Sequence, residues 1–215
     1  KFGWPLQTPS LPQNDDFYVS KVDVADAFHR LRISSQLCDC FCLQGVFAGA
    51  VGVSEVRGEP VSRNQIIHPC MAVMPMGFSW SLYFCQTIIE SLVSKAHGKL
   101  SRDPIRDRSS DTLLDDLNDY VYVDNIGIVG RDPDELRLLM GAIIRTLEEH
   151  GLLTREFSQP CVVDDLLGFE FDGRRKRVRM SASRFWKLTK ALNWILRRRK
   201  VCGKQLEIII GHATY

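Results

Sequence analysis

The stretch Tyr120-Val121-Tyr122-Val123-Asp124-Asn125-Ile126-Gly127-Ile128-Val129 brings two β-prone runs together with almost nothing between them. Aromatic and β-branched residues favour strand on both sides, and Asp and Asn tolerate the backbone angles of a turn. The pattern predicts a tight hairpin with the Asp124-Asn125 pair, and hence a carboxylate, at its tip. Taken alone, such a tip is an ordinary solvated turn. A second acidic strand end, at Asp23, changes that reading.

Phe17-Tyr18-Val19-Ser20-Lys21-Val22-Asp23-Val24 reads as a strand, and Ala25-Asp26-Ala27-Phe28-His29-Arg30-Leu31 turns it into a short helix. Asp23 therefore sits at a strand's C-terminal end, where an adjacent antiparallel strand would set it beside Asp124. Two close carboxylates repel each other unless a cation or proton lies between them. Hard oxygen ligands with no His or Cys competing suit Mg²⁺, which takes few protein ligands and completes its shell with water and substrate phosphates. Two such ions can activate a hydroxyl and stabilise a leaving pyrophosphate in an in-line displacement. That chemistry is nucleotidyl transfer.

The elements around these two strands follow from periodicity and punctuation. Residues 38–46 and 66–74 read as two further strands, joined by a connection containing Gly49, Gly52 and Gly58 and expected to pair as a hairpin. Met74-Pro75-Met76-Gly77-Phe78 breaks the pattern. A helix is predicted over 79–96, with Ser79 as N-cap and Leu82, Cys85, Ile89, Leu92, Val93 and Ala96 on one apolar face. Residues 97–119 are polar and dense in alternating charge, and are expected to form a mobile loop or insertion. The clearest helix follows the opening hairpin: Asp132 as N-cap, Pro133 in first position, Asp134 and Glu135 in the first turn, an apolar face from Leu136 to Leu147, and Gly151 as its stop. Residues 161–171, broken at Gly168, read as a strand hairpin continuing toward Arg179; 183–200 form a basic helix with Trp186 and Trp194, ended by Gly203 before another apolar helix. Short strands mixed with helices in this order give an α+β fold, an antiparallel sheet with helices packed on one face.

At 215 residues, 45% hydrophobic and 25% charged, the chain has the composition of a soluble globular protein with a substantial core. No apolar run approaches the roughly 18 residues of a membrane span, and the N-terminus lacks a signal-peptide layout, so an intracellular, cytoplasmic protein is expected. Seven cysteines suggest no disulfide framework. Cys38, Cys40 and Cys42 alternate, and on a strand they would share one face as buried small hydrophobes rather than a metal site. The net charge of +2 conceals an asymmetry: 13 of the 28 basic residues, and none of the 26 acidic ones, lie in 174–204. Such a patch suits a phosphate backbone, although a basic run also keeps a helix soluble.

These residues resemble the reverse transcriptases. Asp23-Val24-Ala25-Asp26-Ala27-Phe28 looks like the family's first catalytic motif, Met74-Pro75-Met76-Gly77-Phe78-Ser79 with Phe84-Cys85-Gln86 like the second, Tyr122-Val123-Asp124-Asn125 like the third, and Leu166-Leu167-Gly168-Phe169 like the primer grip. The four stand in the family's order, with the flavour of long-terminal-repeat retrotransposons and retroviruses. The resemblance implies a palm over 17–180, with a fingers-proximal hairpin at 38–75, a remnant of fingers at 1–16 and the start of a helical thumb at 181–215. It implies two Mg²⁺ ions, or Mn²⁺, held by Asp23, Asp124 and the Val24 carbonyl, with Asn125 beside them. Ala27, Phe28, Pro75, Met76 and Gly77 would form the dNTP pocket, Phe28 as the steric gate against a 2′-hydroxyl. Tyr122, Leu167, Gly168, Arg197, Arg198 and Lys200 would contact a DNA primer and its RNA or DNA template, and the two Trp residues would pack inside the thumb. No membrane partner is implied.

The chain departs from the family at informative places. Asn125 stands where most relatives carry a second Asp, which removes a charge from the metal site. Met76 replaces the usual Gln or Phe, and no lysine follows Gly151-Leu152-Leu153-Thr154-Arg155 to assist the leaving group; Arg155 holds its proton too tightly to donate it. Most of the basic fingers expected before Asp23 is absent. The readings from sequence are thus a reverse-transcriptase palm with truncated fingers and thumb, a non-catalytic nucleic-acid-binding remnant of one, or an unrelated α+β domain with a basic tail.

Overall fold

The computed structural model describes residues 16–98, 104–105, 117–198 and 200–214. The central strand β1 (Tyr18–Val24) leads into the short helices α1 (Ala27–Arg30) and α2 (Ser35–Cys38). Four two-residue strands follow, β2 (Val46–Phe47), β3 (Glu55–Val56), β4 (Glu59–Pro60) and β5 (Ile66–Ile67), and then helix α3 (Ser81–His97). The opening hairpin is β6 (Leu117–Tyr122) and β7 (Asn125–Gly130), followed by α4 (Pro133–Glu149) and β8 (Thr154–Cys161). The chain continues through β9 (Val163–Leu166), β10 (Phe169–Asp172) and β11 (Arg177–Met180) to helices α5 (Ala182–Leu196) and α6 (Gly203–Thr214).

A four-stranded antiparallel sheet in the order β6-β7-β1-β8 forms the centre. Because side chains alternate across a strand, β1 presents two unlike faces. Val22 and Val24, with Ile126 and Ile128 of β7, face α3 and α4 and form the main core with Cys85, Ile89, Val93, Leu136, Met140, Ile143 and Leu147. Truncating one of these fully buried aliphatic side chains to Ala would cost about 2–5 kcal/mol. On the opposite face Phe17 and Val19 pack with Val129 and Phe171, under the three-stranded sheet β11-β10-β9. Farther along that face the Lys21 ammonium bonds the Asp164 carboxylate at 2.8 Å and the Asp165 carbonyl at 2.5 Å. The small sheet therefore packs along the Phe17–Lys21 part of β1.

Local chemistry explains the strongest elements. The Asp132 side chain accepts from the Asp134 and Glu135 amides, Pro133 opens α4, and Gly151 takes a φ of 79° past its end. α3 buries Ser81, Cys85, Ile89, Val93 and His97, but Leu82 is exposed and Trp80, not Ser79, occupies the N-cap position.

Several expectations are corrected. The predicted strand over 38–46 is the end of α2 followed by irregular chain: the Ser34 hydroxyl caps α2 at the Leu37 amide, a local bond that outweighs the β propensity of the apolar run. As strands, Val46–Phe47 and Ile66–Ile67 pair, and an isolated antiparallel bridge at Cys42–Cys70 continues the contact between the two segments. Cys38, Cys40 and Cys42 share no buried face; Cys40 is exposed, and Cys42 is bridged to Cys70 across an isolated antiparallel contact. The expected loop over 97–119 is shortened at both ends, since His97 closes α3 and residues 117–119 open β6, while Pro104 and Ile105 run beside Asp119. Most of it, like residues 1–15 of the lead-in, lies outside the described residues. β8, absent from the expected order, is the sheet's fourth strand. Trp186 and Trp194 are 59% and 39% exposed on a helix that buries no residue, so they form no thumb core.

Candidate functional site

At the C-terminal end of β1 the large sheet carries one row of side chains across all four strands. Tyr122 opposes Asn125, Asn125 opposes Asp23, and Asp23 opposes Arg155. Directly opposed residues in antiparallel pairs project to the same face. The row is therefore Tyr122, Asn125, Asp23, Arg155, on the face away from α3 and α4.

Asp23 is buried and Asp124 half-buried. The hairpin turn consists of Val123 and Asp124, one residue earlier than the expected Asp124-Asn125 tip, because Asn125 pairs as the first residue of β7. The Val24 amide donates to the Asp124 carbonyl at 2.8 Å, fastening the turn to the end of β1. The Asn125 side-chain amide donates to Asp124 Oδ1 at 3.0 Å. Val123 holds a φ of 56°, a costly conformation for a β-branched residue that persists only where its surroundings enforce it.

Gln86 supplies that enforcement. From α3 its Oε1 accepts from the Val123 amide at 2.6 Å while its Nε2 donates to the Val121 carbonyl at 2.8 Å and to Glu90 at 2.9 Å. The sequence placed Gln86 in a motif without a task; its amide is a two-sided bracket on the turn that bears Asp124. One position earlier on α3, burial and then the nearby Asp124 charge push the Cys85 thiol up to about 11.

Arg155 is the other partner that the sequence does not reveal. Its Nε donates to Asp23 Oδ2 at 2.5 Å, and this hydrogen bond and charge raise the already high basicity of the guanidinium.

The remaining expected residues fall into three places. Ala27 is buried and Phe28 half-buried against the main core on α1. The segment ending in Met74 pairs with the chain leaving that helix, the Met74 amide donating to the Leu31 carbonyl at 2.8 Å and the Ile33 amide to Ala72 at 3.2 Å. This fixes the start of the Pro75-Met76-Gly77 stretch just past the end of α1. Met76 is 68% exposed, and a Cβ added at Gly77 would meet nothing within 4 Å. Leu167 and Gly168, at φ 50° and 82°, form the turn between β9 and β10. The Ser181 amide donates to the Gly168 carbonyl and Arg184 to that of Leu167; a Cβ on Gly168 would collide with the Arg184 guanidinium. The hairpin starts opposite Phe17, where the Phe17 amide meets the Gly173 carbonyl, and passes Lys21, so its turn runs toward the Asp23 end. Arg197, Arg198 and Lys200 are exposed beyond the end of α5. Arg197 and Arg198 line an open depression of about 510 Å³ with Lys190, Asn193 and Trp194, and the Arg198 guanidinium stacks 3.8 Å from the Trp194 ring centre.

The donor set fits a hard divalent ion in type: two carboxylates and a side-chain amide, with backbone carbonyls nearby. Among the described residues no cluster of three His, Cys, Asp or Glu residues could hold a metal by protein ligands alone. Any ion here would depend on water or substrate oxygens, as Mg²⁺ commonly does. Among the described residues no helix is long and apolar enough to cross a membrane.

No protein-family model and no curated protein sequence matches the chain. Its fold is similar to a foamy viral protease-reverse transcriptase in complex with RNA/DNA hybrid, with a TM-score of 0.59 and 16% identity, covering 91% of this chain and 20% of that one. A foamy viral protease-reverse transcriptase structure with double-stranded DNA gives 0.58 and 16%, covering 93% and 27%. Apo telomerase from Candida tropicalis, truncated from its C-terminal domain, gives 0.50 and 14%, covering 79% and 36%. The chain thus spans between 20% and 36% of the length of these structures. At such identities the likeness is one of fold, and the fold is reverse-transcriptase-like.

Proposed function

We propose that the chain is the palm region of an RNA-directed DNA polymerase from a retroelement, which extends a DNA primer on an RNA or DNA template with dNTPs. The observation that carries this reading is the row itself: on a reverse-transcriptase-like fold, β1 and β7 set Asp23 opposite Asn125, with Asp124 fastened beside them. Asp23, Asp124 and the Val24 carbonyl would hold two Mg²⁺ ions, or Mn²⁺, with Asn125 contributing an uncharged oxygen. When bound, the ions supply charge stabilisation for the attacking and leaving oxygens.

The chain's own residues orient the reaction. The primer 3′-oxygen bonds to the α-phosphorus, the bond to the bridging oxygen breaks, pyrophosphate leaves, and the hydroxyl proton passes to solvent. Phe28, stiffened by core packing, lies under the sugar and excludes a 2′-hydroxyl; Ala27, Pro75, Met76 and Gly77 complete that pocket. Tyr122 and the Leu167-Gly168 turn hold the primer end, while Arg197, Arg198 and Lys200 contact duplex phosphates. The activity is assigned to the cytoplasm.

A second reading, a nucleic-acid-binding remnant without catalysis, is favoured by two observations: Asn125 lacks the charge of Asp, and Asp23 already has a cation in Arg155. Primer extension separates the two. Protein containing this chain should extend a DNA primer on an RNA template with dNTPs and Mg²⁺; binding without extension, with Mn²⁺ as well as Mg²⁺, would leave the remnant reading.

A further inference from the structure

The ion pair on Asp23 depends on a specific irregularity of the sheet. Lys21 opposes Ser158, and unbroken antiparallel pairing from there would set Glu156 opposite Asp23. Instead the register slips by one residue, Glu156 takes a φ of 53°, and Arg155 becomes the partner. A non-glycine residue in the left-handed region of a bulge is conformationally costly, and bulges beside active sites re-aim side chains. Here the bulge exchanges a like charge for an opposite one.

The two ends of the pair differ in exposure. The Asp23 side chain is 11% exposed and fixed in the central strand, whereas that of Arg155 is 51% exposed on the edge strand β8. The buried carboxylate needs a counter-charge, while the arginine can leave it for water. Asp26 and Glu156 are near enough to add to the basicity of Arg155, so a displaced guanidinium retains acidic neighbours.

We propose, building on the polymerase reading, that Arg155 is a resident cation on Asp23 that sets the divalent-ion affinity of the site: its guanidinium holds Oδ2 in the free protein and yields it when Mg²⁺ or Mn²⁺ binds. Asp23 is thereby kept compensated between binding events, at the expense of metal affinity. Arg155 acts through Asp23 and is a positioning residue.

The test is direct metal binding to the 215-residue chain, with Mn²⁺ followed by loss of the free-ion EPR signal. Arg155→Gln should bind Mn²⁺ roughly three- to tenfold more tightly than wild type, the scale expected when a half-exposed competing ion pair and its repulsion of the metal are removed. Arg155→Lys, which keeps the charge, should bind less tightly than Arg155→Gln. In the wild-type chain, the ¹⁵Nε–H signal of Arg155, assigned by its loss in Arg155→Lys, should move saturably on Mg²⁺ titration. Unchanged or weaker Mn²⁺ binding by Arg155→Gln would overturn the role of Arg155, as would an Nε–H signal indifferent to Mg²⁺. If Asp23→Asn and Asp124→Asn still weaken Mn²⁺ binding in that case, the proposed polymerase site stands without it. Binding that depends on neither aspartate overturns both.

Discussion

Asp23 and Phe28 lie on either side of the turn at the end of β1, one buried at the strand end and the other packed against the core. That packing gives the proposed gate its rigidity, because a ring held by neighbours can exclude a hydroxyl that a mobile side chain would accommodate. Phe28→Ala should therefore admit ribonucleotides: the preference for dNTP over rNTP in single-nucleotide extension should fall by about tenfold or more, the scale of a steric discrimination of about 1–3 kcal/mol. An unchanged preference would place the sugar elsewhere. At this scale the sequence was informative about identity and weak about partnership. Asp23, Asp124 and Asn125 were legible as strand-end acids and an amide, but the contact of Arg155 with Asp23 was not, since it depends on a bulge with no glycine to mark it. The turn itself was displaced by one residue: Val123 adopts a backbone that propensity disfavours because Gln86 and Val24 hold the segment from outside.

Among elements, α3 shows how a helix can serve both core and site. Cys85, Ile89 and Val93 anchor it to the sheet, and Gln86, one position round the helix, brackets the hairpin turn on both sides. Gln86→Ala leaves the Val123 amide without its acceptor and the left-handed turn without its brace. The variant should lose about 1–3 kcal/mol in denaturant unfolding, the cost of unsatisfied buried polar groups, and should lower extension more than it lowers nucleic-acid binding. Full stability and extension in the variant would show that the turn holds itself. α4 was fully legible because its cap, its Pro and its apolar face agree with one another. β8 was not, because Arg155, Glu156, Ser158, Gln159 and Pro160 show no strand pattern; pairing with β1, not local preference, makes them a strand. The short pieces between 38 and 75 were misread for a related reason, since two-residue strands carry too little sequence to declare themselves.

Across the whole molecule, charge is divided: 13 of the 28 basic residues and none of the 26 acidic ones lie in 174–204, far along the chain from Asp23 and Asp124. Arg197, Arg198 and Lys200 are exposed beyond α5, and Arg198 stacked on Trp194 gives that surface both a charge and a flat apolar face. If these side chains contact phosphates, replacing all three with Gln should flatten the dependence of log K on log salt by about 2–3, near 0.7–0.9 for each phosphate that is no longer neutralised. An unchanged slope would remove this surface from the nucleic-acid interface. The α+β layering, with both long helices on one face of an antiparallel sheet, was legible from order and periodicity. The packing of the β9-β10-β11 sheet on the opposite face was not.

The central claim, that Asp23 and Asp124 together form the reacting centre, is tested most directly by primer extension on an RNA template with wild-type protein and the Asp23→Asn and Asp124→Asn variants, alongside binding of the same primer-template. Each substitution should reduce extension by about a thousandfold or more, as removal of a group acting on the transition state does, with primer-template affinity held within about twofold. Extension that survives either substitution near the wild-type rate would contradict the account.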